Sequence, residues 1–343
     1  MFLGLDTILH KPLWQLIWDV THDCNLRCSY CTIEKEKNTR TSYEKALNAI
    51  SQLEPKILLL TGGEPTVLPN FISLLQQIRG RLPRVNLYLN TNGINVNVLL
   101  KSVDSLDGIL FSLDGLGEIN RTLRGVEGEK IITNLRTLSQ VISVNGKPKL
   151  LKVMTVVTRT NFSFLRELLE EVATIGTGIE VMMKPLLPYT HPDSIASTPE
   201  GLESYFQFWE KNRTRFNFWV YGLFSPEQFH APLVCFAQFF FSQIDHRENV
   251  IFCNFYKKQP VGRDYRIIPT PCPHPCDCKE YIDEILFGKS LREISPNAKL
   301  VLKLLSLDDL QKAEQFIQTY LDPNYQMELL KMLSAKLSMK NGQ

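Results

Sequence analysis

The chain has 343 residues, of which 44% are hydrophobic and 22% charged, a composition typical of a folded protein rather than a fibrous or disordered one. Its 38 basic and 36 acidic residues leave a formal net charge of +2, which supplies no broad attraction for nucleic acid. No apolar run reaches the roughly 18–20 residues that a membrane helix requires, and the first residues lack signal-peptide features. We therefore expect a cytoplasmic protein with no nucleic-acid partner and no membrane span.

Short apolar runs alternate with amphipathic stretches from residue 14 to residue 184. The amphipathic stretches space their apolar residues three and four apart, as helices do, whereas the apolar runs are short enough for buried strands. Strands separated by helices pair in parallel, because each crossover lays a helix over the sheet. Six strands are predicted at residues 14–21, 56–61, 85–90, 107–113, 149–157 and 178–184, with helices at 41–53, 68–80, 130–142 and 162–176.

The pattern changes after Pro185. Residues 185–234 are rich in aromatic residues and proline and show no clear alternation of strand and helix. Residues 235–290 hold five of the eight cysteines, and helical periodicity returns in the remainder. We therefore expect an α/β core at 14–184, a connecting, substrate-proximal segment at 185–234, a small cysteine-rich domain at 235–290 and a helical C-terminal tail at 291–343.

Four polar or glycine-rich clusters directly follow the first four predicted strands. In parallel α/β sheets the ligands bind at the carboxyl ends of the strands, and these ends lie along one edge of the sheet. We therefore expect the clusters to line a single rim and to form one binding site there. In chain order they are THDCNLRCSYC (21–31), TGGEP (61–65), NTNG (90–93), and SLDG (112–115) with NRTLRG (120–125).

The first cluster holds three closely spaced cysteines, Cys24, Cys28 and Cys31, in a CxxxCxxC arrangement. Disulfides are poorly supported in a cytoplasmic protein of this size, so grouped cysteines indicate metal or redox chemistry. Three thiolates can hold three irons of a [4Fe–4S] cube and leave the fourth iron open, whereas a fully ligated cube suits electron transfer. The alternative is a zinc site completed by His22. His246 has no ligand-like spacing and is expected to be a surface or hydrogen-bonded residue.

This cysteine cluster resembles the signature of the radical SAM superfamily, CxxxCxΦC, in which the aromatic residue is here Tyr30. The resemblance covers residues 14–184, because the order of the later clusters also agrees. It implies a partial (β/α)6 TIM-like barrel that carries a [4Fe–4S] cluster whose open iron binds S-adenosylmethionine (SAM). One electron then cleaves the sulfonium of SAM to methionine and a 5′-deoxyadenosyl radical, which abstracts hydrogen from a substrate.

The resemblance also implies roles for the rim residues. The GGEP backbone is expected to bind the methionine amino group, with the glycines allowing close approach to the ligand. The polar side chains after the third and fourth strands are placed for the ribose hydroxyls, although such residues are also common in turns and helix caps. Arg124 is expected at the substrate or the methionine carboxylate, with an ion pair or exposure to solvent as the alternative. Tyr30 and the main chain near 186–187 are expected to flank the adenine. The implied cofactor-binding residues are Tyr30, Gly62, Gly63, Glu64, Pro65, Asn90, Asn92, Ser112, Asp114 and Arg124.

The second cysteine group resembles the twitch or SPASM extension of radical SAM enzymes, which binds auxiliary [4Fe–4S] clusters. A complete SPASM extension has seven cysteines, so the five here imply a shorter, twitch-like domain with one second cluster. The CxxxCxC spacing at 272–278 departs from the common pattern. It leaves open which four cysteines bind and whether the metal is iron–sulfur or a zinc ion that also uses His274. The five cysteines are Cys235, Cys253, Cys272, Cys276 and Cys278.

The resemblance leaves the substrate open. A peptide or protein side chain is the first choice, because the auxiliary-cluster group contains many peptide maturases. A small-molecule or cofactor-biosynthesis reaction is the alternative, because a first strand beginning near residue 14 leaves no room for an N-terminal peptide-recognition domain. A flavodoxin- or ferredoxin-type protein is expected to donate the electron. From another class, the chain could be a non-catalytic iron–sulfur or zinc module, although the open three-cysteine site argues against it.

Overall fold

The computed structural model describes residues 15–37, 42–145, 150–176, 178–186, 191–220, 233–234, 241–251 and 271–272. Seven parallel strands, each hydrogen-bonded to the next in chain order, form the centre of the fold. They are β1 (Gln15–Thr21), β2 (Ile57–Gly62), β3 (Asn86–Thr91), β4 (Gly108–Ser112), β5 (Leu150–Val157), β6 (Glu180–Pro185) and β7 (Phe218–Val220).

Helices connect these strands, and their apolar faces cover the sheet. The first helix, for example, buries residues three and four apart, Ala46, Leu47, Ala49 and Ile50, as an amphipathic helix packed on a sheet must. The helices are α1 (Glu44–Leu53), α2 (Phe71–Arg81), α3 (Val96–Ser102), α4 (Gly117–Arg124), α5 (Gly128–Asn145), α6 (Leu165–Ile175) and α7 (Pro199–Asn212). None of the helices in the described ranges is long and apolar enough to cross a membrane.

Four short strands complete the described structure: β8 (Leu233–Val234), β9 (Phe241–Ile244), β10 (Val250–Ile251) and β11 (Pro271–Cys272). The order of the large sheet continues beyond β1 with β9 and then β10. The chain divides into two compact units, one of residues 15–226 with 243–250 and the other of the remaining residues. Within the second unit, β8 and β11 pair antiparallel.

The structure confirms an α/β fold with a parallel sheet, consistent with a partial TIM-like barrel. All six predicted strands are present, and their ends lie within about two residues of the predicted ends. Two helices, α3 and α4, were not predicted, and in the 185–234 segment the structure adds α7 and the strand β7, which pairs in parallel with β6. β7 has only three residues, too few for a periodic signal. At the start of α7, the Thr198 side chain caps the helix by accepting a hydrogen bond from Gly201 N at 3.1 Å.

Candidate functional site

A pocket open to solvent lies at the carboxyl ends of the first four strands. Residues from every one of the four rim clusters line it, so the convergence expected from parallel pairing is present. From the expected site the lining includes Cys24, Cys28, Tyr30, Cys31, Gly62, Gly63, Glu64, Asn90, Asn92, Ser112 and Arg124. The other lining residues are His22, Leu26, Ile33, Lys35, Thr61 and Thr91.

The three cysteines of the first cluster are free thiols on the loop after β1, and all three line the pocket. Backbone hydrogen bonds shape this loop, with Ser29 N donating to Leu123 O at 2.8 Å and Cys31 N donating to Cys28 O at 3.2 Å. Burial raises the pKa of the Cys24 and Cys28 thiols, whereas binding to a metal deprotonates a thiol outright. Within the described residues, no three Cys, His, Asp or Glu side chains are grouped as ligands of a single metal ion.

The two glycines of GGEP allow the end of β2 to lie against the backbone that leaves β1. Gly62 has φ +124°, and a Cβ there would lie 2.2 Å from Thr21 O. A Cβ on Gly63 would lie 2.1 Å from Asp23 O, and Gly63 N donates to Thr21 O at 2.6 Å. The close approach seen here is therefore between two backbone segments, whereas the sequence suggested one between backbone and ligand.

Glu64 ties the loop after β2 to the end of β3. Its side chain is only 1% exposed. One carboxylate oxygen accepts from Thr66 N at 3.1 Å and from the hydroxyls of Thr66 and Thr91, both at 2.7 Å, while the other accepts from Asn92 N at 2.6 Å. Burial raises the pKa of Glu64, and these hydrogen bonds oppose the rise. The next residue, buried Pro65, begins a single 3-10 turn. Glu64 thus fixes the cluster after β2 relative to the cluster after β3.

Three of the four polar side chains expected at a ribose differ in how far their own hydrogen bonds engage them. Asn90 and Ser112 share a long hydrogen bond of 3.3 Å, and Asn90 also donates weakly to Thr61 Oγ1 at 3.4 Å. Asn92 is more firmly engaged, because it donates to Asn25 Oδ1 at 2.7 Å and accepts from Ile94 N at 3.1 Å. Asn90 and Ser112 are thus the pair with weak partners facing the pocket.

Asp114 is buried in a charged network rather than lining the pocket. Its side chain is 0% exposed, and Arg124 Nη1 lies 3.0 Å from Oδ2. Tyr30 donates a hydrogen bond to the same oxygen and accepts one from Arg124 at 2.6 Å, while Val156 N donates to Oδ1 at 2.7 Å. Burial and the Asp114 charge raise the pKa of Tyr30 well above its usual range. Burial lowers the pKa of Arg124, but the charge of Asp114 outweighs this effect, so the pKa is raised overall.

This network links the cysteine loop to the end of β4, because Tyr30 belongs to the first cluster and Asp114 to the fourth. Arg124 therefore has a carboxylate partner, which was the alternative considered for it from sequence. The Arg124 Nε, by contrast, is buried with no hydrogen-bond partner in the structure. Arg124 and Tyr30 still line the pocket, whereas Asp114 does not.

Two pocket residues have features that the sequence did not indicate. Lys35 was not expected at the site, and His22 was expected only as an alternative zinc ligand. The His22 ring stacks on that of His246, with centroids 3.4 Å apart and planes at 25°. His246 Nε2 lies 3.1 Å from Glu36 Oε2, so the hydrogen bonding expected for His246 is present. Burial and the neighbouring His246 lower the pKa of His22. No sequence signal identifies this contact, because His22 and His246 lie far apart along the chain, near the first and the last residues of the same compact unit.

Four of the five cysteines of the second group, and the alternative zinc ligand, lie outside the described residues. The backbone of Cys272 lies in β11, and Leu187 of the expected adenine contact is also outside the described residues, while Leu186 is buried. The expected second cluster, its four ligands and the helical tail therefore remain predictions. The residues outside the described ranges are Cys235, Cys253, His274, Cys276 and Cys278.

The chain is similar to known proteins in sequence and in fold. Residues 18–172 match the model of the radical SAM superfamily. A "Probable GTP 3′,8-cyclase" of Thermococcus kodakarensis is 27% identical over 181 residues, which cover 50% of this chain and 57% of that protein. The mycofactocin maturase MftC of Mycobacterium ulcerans is 30% identical over 156 residues, covering 43% of this chain and 40% of the maturase. The chain thus spans about half the length of these curated relatives.

Among solved structures, Streptococcus suis SuiB bound to its precursor peptide SuiA superposes with a TM-score of 0.58. The match covers 90% of this chain and 76% of that chain at 17% sequence identity, so it speaks to the fold alone.

Proposed function

We propose that this chain, whose residues 18–172 form a radical SAM superfamily domain, is an enzyme that cleaves SAM reductively and abstracts hydrogen from a substrate. The observation that carries the proposal is the pocket itself. Three free thiols share it with the glycine-rich turn after β2 and the polar ends of β3 and β4. A non-catalytic module would not need these rim residues around its metal ligands.

The donor set fits a [4Fe–4S] cluster held by Cys24, Cys28 and Cys31. Thiolates are the ligands that such clusters take, and three of them leave one corner of the cube open to another ligand. When bound there, the cluster supplies the electron that splits the sulfonium of SAM. A flavodoxin- or ferredoxin-type protein is the proposed electron donor.

The rim residues divide into those proposed to touch SAM and those proposed to position them. Asn90 and Ser112 face the pocket with only long hydrogen bonds, so they are the proposed partners of the ribose hydroxyls. The backbone of GGEP is the proposed partner of the methionine amino group, and the ring of Tyr30 that of the adenine. Glu64, Asn92 and Asp114 hold these groups in place through buried hydrogen bonds.

A peptide or protein side chain is the proposed substrate. The relative named as a mycofactocin maturase and the likeness in fold to SuiB, whose crystal contains a precursor peptide, support this choice. A small-molecule substrate is the second candidate, because the relative from Thermococcus kodakarensis is named as a GTP cyclase. Co-purification of the chain with a leader-bearing peptide would favour the first candidate over the second.

Replacing Cys24, Cys28 or Cys31 with alanine is expected to abolish release of 5′-deoxyadenosine, because each change removes one of the three thiolates. The measurement is anaerobic reconstitution, reduction with dithionite and quantification of 5′-deoxyadenosine after SAM is added. Ser29→Ala is the matched control, since this exposed hydroxyl of the same loop makes only a 3.4 Å contact with Leu123 O. The proposed function is wrong if the cysteine variants release as much product as Ser29→Ala.

A second cluster in the C-terminal cysteine group is also proposed. In the variant lacking Cys24, Cys28 and Cys31, we expect about four irons per chain to remain after reconstitution, as one cube requires. Iron, sulfide and zinc analysis with a Mössbauer spectrum measures this directly. Zinc or no metal in that variant would contradict the second cluster and leave a single-cluster enzyme.

A further inference from the structure

Lys35 lines the pocket, and its ammonium group is buried with no partner among the residues that the structure describes. Its Nζ is inaccessible to solvent and has no hydrogen-bond partner in the structure, and the residue lines the pocket beside the three cysteines. Taking an unpaired charge out of water is strongly unfavourable, so buried lysines are normally paired. An anionic group bound beside the three cysteines would compensate this charge, which no described side chain pairs.

The other charged residues lining the pocket are already engaged. Arg124 is paired with the buried Asp114 carboxylate, and both oxygens of Glu64 accept hydrogen bonds from the β2 and β3 loops. The ring of His22 is stacked on that of His246, with centroids 3.4 Å apart. Among the pocket-lining residues that the structure describes, Lys35 thus contributes the uncompensated positive charge.

The charge of Lys35 reaches the first cysteine of the motif. Lys35 and Cys24 line the same pocket, and the positive charge of Lys35 acts on the Cys24 thiol. The ammonium therefore lies within electrostatic range of a residue that the proposed function makes a cluster ligand. A cluster held by three thiolates is anionic, and it becomes more negative when it accepts an electron.

We propose that Lys35 is a positioning residue that compensates the negative charge of the thiolate-bound cluster and thereby makes the cluster easier to reduce. The inference rests on the proposed function, because it requires a [4Fe–4S] cluster at the three cysteines. An ammonium in a partly buried site stabilises the more negative state, since the Coulomb energy of two charges rises as the effective dielectric constant falls.

The test is a reductive titration of the reconstituted full chain without SAM, followed by electron paramagnetic resonance. Only the signal absent from the variant lacking Cys24, Cys28 and Cys31 is analysed, so a second cluster does not interfere. For Lys35→Met we expect about a tenfold lower ratio of reduced to oxidised cluster at a fixed potential, equal to about 59 mV for one electron. Lys35→Arg keeps the charge and should stay within about twofold of the unmodified chain.

Lys37→Met is the matched control, because Lys37 is an exposed lysine two positions along the same loop. Its titration should coincide with that of the unmodified chain. Lys35→Gln provides a second neutral variant. If both neutral variants fail to assemble the cluster while Lys35→Arg assembles it, the requirement for the charge is likewise supported.

Two results would overturn the proposal. In the first, Lys35→Met and Lys35→Gln titrate like the unmodified chain. In the second, the two neutral variants also titrate like the unmodified chain, and in addition they bind SAM more weakly. That result would make the carboxylate of SAM the partner of Lys35. Failure of the proposed function itself would be seen separately, since the unmodified chain would then show no iron dependent on Cys24, Cys28 and Cys31.

Discussion

Replacing Gly62 with alanine is expected to destabilise the folded chain by about 3 kcal/mol or more. Two independent costs combine at this position. The backbone has φ +124°, a conformation that side chains with a Cβ rarely adopt, and the added Cβ would lie 2.2 Å from Thr21 O. That oxygen belongs to the backbone at the end of β1, so no side-chain rotation can relieve the contact. Relief requires β1 and β2 to separate beside the cysteine loop.

Denaturant unfolding followed by far-ultraviolet circular dichroism measures this effect on the apoprotein. Gly80→Ala is the matched control, because Gly80 lies in α2 and a Cβ added there would meet no atom within 4 Å. Alanine is favoured over glycine within a helix by about 1 kcal/mol, so this control should be neutral or stabilising. Equal midpoints for the two variants would show that the backbone contact at Gly62 is not tight.

Replacing Asp114 with asparagine is expected to cost about 3–5 kcal/mol of folding free energy, the usual penalty for removing one partner of a buried ion pair. Arg124 would keep its charge, with its guanidinium facing an amide in place of a carboxylate 3.0 Å away. Tyr30 would lose the carboxylate oxygen that accepts the hydrogen bond from its hydroxyl. The hydrogen bond from Val156 N at 2.7 Å can still be accepted by the asparagine oxygen, which limits the damage to the charged side of the network.

The effect is measured by the shift in unfolding midpoint relative to a surface pair. Glu171→Gln is the control, because the Arg136–Glu171 pair spans 3.1 Å but its side chains are 44% and 36% exposed. Exposed pairs contribute about 0–1 kcal/mol, so that variant should unfold close to the unmodified chain. A similar small shift for Asp114→Asn would mean that water reaches the network and that its burial contributes little.

Much of the fold was predictable because the information is local in the chain. Each of the first six strands is a short apolar run, and the helices between them carry apolar residues at a spacing of three and four. β7 escaped prediction because its three residues carry no periodic signal, and parallel pairing with β6 defines it as a strand. The meeting of four clusters at one rim also follows from the sequence, since parallel strands bring their carboxyl ends to one edge.

The roles of individual rim residues were less predictable, because they depend on where side chains point. Asp114 sits directly after β4, as a ligand-binding residue would, yet its carboxylate turns to Arg124 and Tyr30. The glycines of GGEP are required by contacts with Thr21 and Asp23, which lie about 40 positions earlier in the chain. No pattern within the GGEP cluster itself indicates either partner.

The sequence by itself therefore determined the order of the first six strands, the rim at which the motifs meet and the grouping of three cysteines there. These properties depend on periodicity, spacing and residue type, all of which are local. Only the tertiary structure decided that the buried ammonium of Lys35 has no partner among the described residues and that His246 stacks on His22. Such contacts join residues as far as 210 positions apart, as in the His246–Glu36 pair. They arise from packing between separate elements, and for that reason periodicity and spacing carry no record of them.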